Sequence, residues 1–392
     1  MRRPRVFNSL VDQWQEQLVE DSSLNADATN LAGAPQPAAI TTKIEGAAGI
    51  VTLNRPRALN ALTNAMRAEM AAAFAAWTRD PQVYAALIES ATDRAFCAGG
   101  DVREMIELGK AQPLEARRGL AAEYALNWQI DCFTKPTVSL MDGVVMGSGV
   151  GITLYGTHRV ASERYRFAMP ETGIGLFPDV GVSWAFARMP DAIGMYLALT
   201  GRAIGRADAY RLGLVTHCVA SARLGEVRTA ICDADPVDPV LDSRHEDPGP
   251  GEIDALRPAI ARCFGQDSVE AIVAALEAER GGSETWARET LVALQRGSPT
   301  SLKITHRHVH MARTWDLSAT LKQDFRLASR FLQQHDFHEG VRAVLVDRDH
   351  APKWRPDRLD LVTEEAIAAY LAPLGPDELV LATRAEMQAV RS

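Results

Sequence analysis

The chain has 392 residues, of which 47% are apolar and 23% are charged, values close to those of ordinary globular proteins. Its net charge of -8 and its pI of about 5.7 exclude a nucleic acid as the main partner, because proteins that bind a phosphate backbone concentrate positive charge. The five cysteines are widely spaced and form no C-x-x-C pair. This argues against a disulfide framework or a zinc site and favours a reducing compartment.

The start of the chain bears on its compartment. No apolar run approaches the roughly 20 residues that cross a bilayer, and no signal-peptide apolar core is present. Arg2, Arg3 and Arg5 suit a transit peptide, but several acidic residues follow from Asp12 onward, and transit peptides are poor in acids. We therefore expect a cytosolic (cytoplasmic) protein without a membrane partner.

An N-terminal extension over residues 1–38 precedes the predicted body. Phe7, Val11, Trp14 and Leu18 follow one another at spacings of four, three and four, which predicts an amphipathic helix that docks on the body or on a neighbouring subunit. Residues 25–39 are rich in Ala, Asn and Pro without periodicity and are typical of a linker. The folded body is expected to begin near Ile40.

Residues 39–225 alternate between short β-rich runs and longer helical stretches, the pattern of β and α units around parallel strands. Strands are predicted over residues 50–53, 86–89, 137–141 and 158–161. A helix is predicted over residues 65–77, with Met66, Met70, Phe74 and Trp77 on one face. Functional residues are expected in the loops that follow these strands.

Residues 226–392 are predicted to form a helical C-terminal region. The segment 233–252 carries seven acids and four prolines against one arginine, so we expect an exposed loop there. Apolar residues then recur at helical spacing over residues 267–279, 317–332 and 363–371.

Two glycine-rich segments, residues 95–101 and 142–151, each follow or include a predicted strand end. Their small residues let a ligand approach the backbone closely. The spacing of the glycines does not match G-x-G-x-x-G and no Gly-Lys-Ser/Thr follows, so a nucleotide-phosphate site is disfavoured. Two N–H donors from two loops would instead form an oxyanion hole. Ser148 lacks a nucleophile elbow and Cys97 lacks an activating partner, so both are predicted to be packing residues.

Three histidines alternate at positions 306, 308 and 310. On a strand they would share one side and suit a metal. A helix fits the segment at least as well, and it would bring His306 and His310 together while turning His308 away. We expect a solvated helix face and no metal site.

Glu171 and Asp179 lie eight residues apart in a segment that contains three glycines and two prolines. Apolar residues surround them, and a carboxylate in apolar surroundings gains a raised pKa that suits a base or an acid near neutral pH. Two acids at ordinary helix N-termini would give the same pattern. The window alone leaves both interpretations open.

These segments occur in the order found in the crotonase, or enoyl-CoA hydratase/isomerase, superfamily, which the chain resembles from about residue 40 to 220. The matching motifs are Asn54-Arg55-Pro56 with Asn60-Ala61-Leu62, and residues 96–101, 141–151 and 169–175. The resemblance implies an α/β fold of the crotonase (ClpP-like) type, a spiral of ββα units with a helical C-terminal region. It also implies that a thioester carbonyl lies between the backbone N–H groups of Ala98, or its neighbour Gly99, and Ser148.

Within that superfamily the chain resembles the 3-hydroxyisobutyryl-CoA hydrolase subfamily through nearly the whole body. Residues 167–181, 298–305, 336–343 and 352–354 carry this resemblance. It implies hydrolysis of the thioester of 3-hydroxyisobutyryl-CoA, an intermediate of valine degradation, or of a close 3-hydroxyacyl-CoA. Hydratases of the superfamily use two glutamates, and the first would stand where this chain has Gly151.

The resemblance also assigns roles. Glu171 and Asp179 are the implied catalytic residues, with Glu171 either activating water or attacking the carbonyl directly. Contacts to the acyl-CoA substrate are implied for Glu123, Gly100, Asp101 and Gly147. Positive charge near CoA is suggested, by position alone, for Arg55, Arg57 and Arg103. Ser148 departs from the subfamily, which carries glycine there; because its backbone N–H is the expected donor, the hydroxyl is predicted to matter for space rather than chemistry.

No cofactor is implied, since coenzyme A is part of the substrate, and a homo-oligomer is among the partners that the resemblance allows. Three alternatives stay open. They are hydration or isomerisation of another enoyl-CoA, a non-catalytic CoA-binding protein, and an α/β domain without a ligand.

Overall fold

The structure, a computed structural model, describes residues 38–389. The helix predicted at residues 7–20 and nearly all of the predicted linker lie outside the described residues. The strands are β1 (Ile40–Glu45), β2 (Ala48–Leu53), β3 (Ala85–Ser90), β4 (Ala95–Cys97), β5 (Thr137–Met141), β6 (Val144–Met146), β7 (His158–Ala161), β8 (Arg166–Ala168), β9 (Ile204–Gly205) and β10 (His217–Cys218).

The helices alternate with these strands and then continue alone. They are α1 (Asn64–Arg79), α2 (Val102–Ala111), α3 (Pro113–Cys132), α4 (Ser148–Gly151), α5 (Val182–Phe186), α6 (Ile193–Thr200), α7 (Arg206–Arg211), α8 (Leu224–Cys232), α9 (Val237–Asp242), α10 (Arg257–Phe264), α11 (Val269–Ala278), α12 (Glu284–Arg296), α13 (Pro299–Ala312), α14 (Leu317–Phe331), α15 (His335–Val341), α16 (Glu364–Leu371) and α17 (Arg384–Ala389). A 3-10 turn covers Glu171–Ile174, and a π turn covers Arg342–Val346.

The strands form two sheets, and successive strands along the chain are added to both. The larger sheet has the order β1-β2-β3-β5-β7-β10, and the smaller has the order β4-β6-β8-β9. Apart from β1 with β2 and β8 with β9, the pairs within them are parallel. Each successive unit from β3 onward adds one strand to each sheet, which is the expected spiral of ββα units and confirms the predicted fold class.

The predicted elements of the body are confirmed closely. The strands at residues 137–141 and 158–161 have the predicted bounds, and α1 covers the predicted helix. Thr63 caps α1 by accepting a hydrogen bond from the Met66 amide at 3.2 Å. The apolar face of α1 is buried as its spacing requires, with Met70 and Phe74 at most 1% exposed.

The acidic segment is only partly the loop that its composition predicts. Helix α9 lies inside it, and Val237, Val240 and Leu241 are buried against the outer face of the larger sheet beside Ile50 and Leu87. The prediction of an exposed loop is wrong for these residues, because three apolar side chains at helical spacing outweigh the charges that flank them. Residues 245–252 do form a loop.

The helical region shares the core of the strand-bearing part. One cluster of buried apolar residues runs from Ile40 to Leu379, and the Phe177 and Phe331 ring centroids lie 5.5 Å apart across the two parts. Helix α14 packs on α3, and α13 packs on α6. Among residues 38–389, no helix combines the length and the apolar character that a membrane span requires.

Candidate active site

The two glycine-rich loops and Glu171 converge at one end of the smaller sheet. Strands β4 and β6 are parallel neighbours, so the loops that follow them emerge side by side. A Cβ atom added to Gly147 would lie 3.3 Å from the Gly99 Cα and 3.2 Å from Glu171 Oε1. The predicted oxyanion loops and the predicted catalytic acid therefore meet within contact distance.

The backbone amides of these loops differ in their partners. Ala98 donates its N–H to the Leu59 carbonyl at 3.0 Å, so this amide is already engaged and the assignment of Ala98 as an oxyanion donor is corrected. Among residues 38–389, no backbone carbonyl accepts a hydrogen bond from the Gly99 amide. Ser148 is the first residue of α4, and its N–H has no partner within that helix. Of the three predicted oxyanion donors, Gly99 and Ser148 thus remain as candidates to donate a backbone hydrogen bond to a substrate.

Glu171 begins its 3-10 turn and is buried, with 7% of its surface exposed. Its Oε2 has no hydrogen-bond partner within the described part of the chain. Burial, and then the charge of Asp179, raise the pKa of Glu171 well above its ordinary value. A carboxyl group with a raised pKa and a free oxygen suits proton transfer near neutral pH.

Asp179 is buried beside helix α3, where Tyr124 donates its hydroxyl to Asp179 Oδ2 at 2.8 Å. Burial raises the pKa of Asp179 well above its ordinary value, and the charges of Glu123 and Asp324 add to the increase. The two acids of the predicted pair are electrostatically linked, because the charge of Asp179 raises the pKa of Glu171.

Glu123 lies in a buried polar cluster that the sequence did not predict. Ser148 Oγ donates to Glu123 Oε1, and Arg67 Nη2 contacts Glu123 Oε2 at 3.1 Å and Ser148 Oγ at 3.1 Å. The Ser148 hydroxyl therefore takes part in a hydrogen-bond network, which the prediction of a role in space rather than chemistry did not include. A Cβ atom on Gly100 would lie 2.6 Å from Arg67 Nη2 and 2.8 Å from Ser148 Oγ, so a side chain there would meet the cluster.

The position of Arg67 in the sequence could have indicated this buried cluster. It precedes Met70 and Phe74 at spacings of three and seven, so it shares the apolar face of α1 although it is charged. A charge on such a face predicts a buried partner, but nothing in the sequence identifies Glu123 and Ser148 as that partner.

Gly151 stands against two side chains at the position where a hydratase would carry an acid. A Cβ atom on Gly151 would lie 2.7 Å from Asn127 Nδ2 and 2.9 Å from Val180 Cβ. Asn127 is 1% exposed, and neither polar atom of its amide has a partner among residues 38–389. The packing leaves no room for a glutamate at position 151, and it places the unpartnered Asn127 amide there instead.

Asp101 and the predicted CoA-binding arginines lie at the edge of this site. Asp101 caps α2 by accepting from the Glu104 amide at 3.1 Å, and it pairs with Arg55 at 2.8 Å. Arg103 donates to the Leu345 carbonyl at 3.0 Å. Arg57 is exposed on the neighbouring surface. Asp101 and Arg55 thus stabilise the loop itself, which is a structural use of two residues predicted to contact the substrate.

Cys97 and the three histidines do not join the acids as reactive groups. Cys97 is fully buried and donates to the Asn60 carbonyl at 3.2 Å, and burial raises the pKa of its thiol to about 12, as suits a packing residue. The His306 and His310 rings on α13 lie 4.5 Å apart, centroid to centroid, at a tilt of 52°, whereas His308 points inward, so the predicted helical arrangement is confirmed. The predicted solvated face is wrong for His306 and His308, which are buried because α13 packs between α6 and α16. Within residues 38–389, no group of three or more His, Cys, Asp or Glu could hold a metal ion.

Comparisons with known proteins identify the family of this chain. A family model described as Enoyl-CoA hydratase/isomerase matches residues 48–371. The chain is 39% identical over 354 residues to the protein named 3-hydroxyisobutyryl-CoA hydrolase, mitochondrial, of Rattus norvegicus, a match that covers 88% of this chain and 91% of the relative. It is 38% identical over 348 residues to the protein of the same name from Homo sapiens, covering 86% and 89%.

Two solved structures of proteins named for related activities on CoA esters are similar to this chain. A carnitinyl-CoA dehydratase from Mycobacterium thermoresistibile has a TM-score of 0.83 and 40% identity, and the match covers 88% of this chain and 99% of that one. An enoyl-CoA hydratase from Rhodobacter sphaeroides 2.4.1 has a TM-score of 0.82 and 37% identity, with coverage of 88% and 100%.

The names of the relatives correct one prediction. The proteins from rat and human are both named as mitochondrial, which contradicts the expectation of a cytosolic protein. That expectation rested on acidic residues after Asp12, within the N-terminal segment that lies outside the described residues.

Proposed function

The chain belongs to the enoyl-CoA hydratase/isomerase family, and we propose that it hydrolyses the thioester of 3-hydroxyisobutyryl-CoA, or of a close 3-hydroxyacyl-CoA, to the free hydroxy acid and coenzyme A. The observation that carries the proposal is the placement of Glu171. Its Oε1 is beside the two amide-bearing loops, while Gly151 leaves no second glutamate for the addition of water to a double bond. The name of the rat and human relatives supplies the acyl group of the proposed substrate.

In the proposed reaction the thioester carbonyl oxygen accepts hydrogen bonds from the Gly99 and Ser148 amides. These donors stabilise the negative charge that develops on the oxygen as the carbonyl carbon becomes tetrahedral. Glu171 either removes a proton from the attacking water or attacks the carbon itself to form an anhydride that water then opens. In both routes the C–S bond breaks, and the sulfur leaves and takes up a proton as coenzyme A.

Asp179 is proposed to assist Glu171 and to contact the polar end of the acyl group. Its carboxyl is held by Tyr124, and burial raises its pKa, which favours the protonated form. Glu123 is proposed to act close to the carbonyl, because its partner Ser148 supplies one of the two amides. Gly100 and Gly147 contribute by leaving space at the meeting point of the loops.

Hydration of an enoyl-CoA is the second candidate, because the two solved relatives bear the names of a dehydratase and a hydratase. The geometry at Gly151 argues against the route that uses two glutamates. A measurement of water addition to crotonyl-CoA by the same preparation separates the two functions.

The proposal is tested by the release of free thiol from 3-hydroxyisobutyryl-CoA by the wild type, Glu171→Gln and Asp179→Asn. We expect Glu171→Gln to lose at least about 100-fold in kcat, the scale of general acid–base catalysis. Undiminished turnover by Glu171→Gln would remove the mechanism. A single turnover in labelled water then distinguishes the routes, since an anhydride leaves labelled oxygen in Glu171 and general-base catalysis does not.

A further inference from the structure

The turn that carries Asp179 has a strained backbone. Val180 has a φ of +52° and Gly181 a φ of +77°. A positive φ is a genuine outlier for a β-branched residue and costs on the order of 1–3 kcal/mol. Such a conformation persists only where the surroundings hold it.

Two side chains hold this turn from outside its own segment. Tyr155 donates its hydroxyl to the Val180 carbonyl at 2.5 Å, and the Gly181 amide donates to Asp324 Oδ2 at 2.6 Å. Gly181 has no space for a side chain, because a Cβ atom would lie 2.5 Å from Tyr155 Oη. The turn therefore depends on a contact to helix α14, far along the chain.

Asp324 is itself held by His308. The other carboxylate oxygen, Oδ1, lies 2.6 Å from His308 Nε2, and both side chains are completely buried. The His308 ring meets Phe177 edge to face with centroids 5.7 Å apart. Burying a carboxylate costs free energy unless the carboxylate is hydrogen-bonded. Here Oδ1 contacts His308, which orients the Asp324 side chain, and Oδ2 accepts the hydrogen bond from the Asp179 turn.

We propose that Asp324, oriented by His308, is a positioning residue that fixes the Asp179 turn and sets the electrostatic environment of that acid. The inference rests on the proposed function for the role of Asp179. It gives the helical C-terminal region a direct part in the site, because α13 and α14 supply both members of the pair.

The charge of Asp324 acts on Asp179 together with a small set of neighbours. Glu123 and Tyr124 on α3 and Glu171 on its 3-10 turn face Asp179, and Tyr155 approaches from the segment after α4. Asp324 is one of two negative charges that raise the pKa of Asp179, the other being Glu123. We therefore expect removal of the Asp324 carboxylate to lower that pKa, whichever protonation state of Asp179 the reaction uses.

The test compares Asp324→Asn with Asp324→Ala. Asparagine keeps an oxygen for the Gly181 amide and removes the charge, whereas alanine removes both. Asp208→Asn is the matched control, because Asp208 is also a buried acid that accepts a backbone amide, from Ile253 at 2.9 Å, and it is not among the groups that act on Asp179.

We expect Asp324→Asn to move the Asp179-dependent limb of the pH–rate profile to lower pH, with KM changed less than kcat. Asp324→Ala should also lose about 100-fold in kcat, the scale of a misplaced catalytic group. Asp208→Asn should leave the limb in place. A folded Asp324→Asn with the wild-type profile would overturn the inference, and this variant carries the test if the alanine variant does not fold.

A titration of the Asp179 carboxyl by carbon NMR, in the wild type and Asp324→Asn, separates this inference from the proposed function. Absence of thiol release by the wild type together with a lower pKa of Asp179 in Asp324→Asn would reject the function and keep the positioning role. An unchanged pKa with an unchanged turn would reject the positioning role alone.

Discussion

Replacing Arg67 with methionine removes a buried cation that joins three side chains. The guanidinium contacts Asn64 Oδ1, Ser148 Oγ and Glu123 Oε2, each at 3.1 Å. Methionine is apolar and unbranched and fits an apolar helix face, so the change removes the guanidinium end with its charge and hydrogen bonds and keeps an unbranched stem. Glu123 would keep the Ser148 hydroxyl as a partner but lose its cation.

The size of the effect follows from burial. The side chains of Arg67 and Glu123 are each 4% exposed, so solvent screens the pair very little. Breaking a buried ion pair by removing one partner costs about 3–5 kcal/mol, because an uncompensated charge stays in the interior. We therefore expect Arg67→Met to lower the free energy of unfolding by an amount in this range.

Urea denaturation of Arg67→Met, Glu123→Gln and the double variant measures the pair. The double variant should recover much of the loss, since replacing both charges removes the unpaired group. Thiol release should fall in Arg67→Met beyond the effect on stability, because Ser148 loses a contact that orients its amide. A change of less than about 1 kcal/mol in Arg67→Met would refute the argument, since it would match an exposed pair.

Three further predictions concern the site. Glu171→Gln should unfold at a higher temperature than the wild type at about pH 8, because burial raises the pKa of Glu171 and its ionisation destabilises the fold as pH rises through that pKa. The difference in melting temperature should vanish near pH 4, and a lower melting temperature of the variant at pH 8 would contradict this prediction. Gly181→Ala should lose at least about 2 kcal/mol in urea denaturation, since alanine meets both the positive φ and the Tyr155 hydroxyl, and wild-type stability would count against the strained turn. Gly151→Glu should lower the melting temperature through its clash with Asn127 and gain no hydration of crotonyl-CoA, whereas a stable, hydrating variant would reverse the interpretation of this position.

Local patterns predicted much of the fold. The alternation of apolar runs with helical stretches predicted β2, β3, β5 and β7 of the larger sheet, together with helix α1, but not β1 or β10. The helical spacing that identified residues 317–332 also corresponds to α14. These elements are predictable because each buries its own apolar face, and the spacing of apolar residues along the sequence shows the period of that face.

Contacts between distant segments were not predictable in the same way. Arg67 and Glu123 lie on different helices, and His308 and Asp324 lie on two others. Neither pair therefore has a characteristic sequence spacing from which the contact could be predicted. The Ala98 amide looked like a donor, yet the Leu59 carbonyl accepts its hydrogen bond. Which amides stay free depends on how remote loops meet, and that is a property of the folded chain.

The resemblance supplied what periodicity could not. Within its own window, Glu171 and Asp179 could have been two ordinary helix-capping acids. In the folded chain both are buried, their pKa values are raised, and Glu171 lies beside the glycine of the second loop. Whether they perform the proposed chemistry stays a prediction.

The most direct measurement is the rate of thiol release from 3-hydroxyisobutyryl-CoA by the purified wild type, beside water addition to crotonyl-CoA under the same conditions. We expect rapid release of coenzyme A in the first assay and no comparable hydration in the second. Hydration of crotonyl-CoA without thiol release from the hydroxyacyl thioester would contradict the central claim that this site is built for hydrolysis.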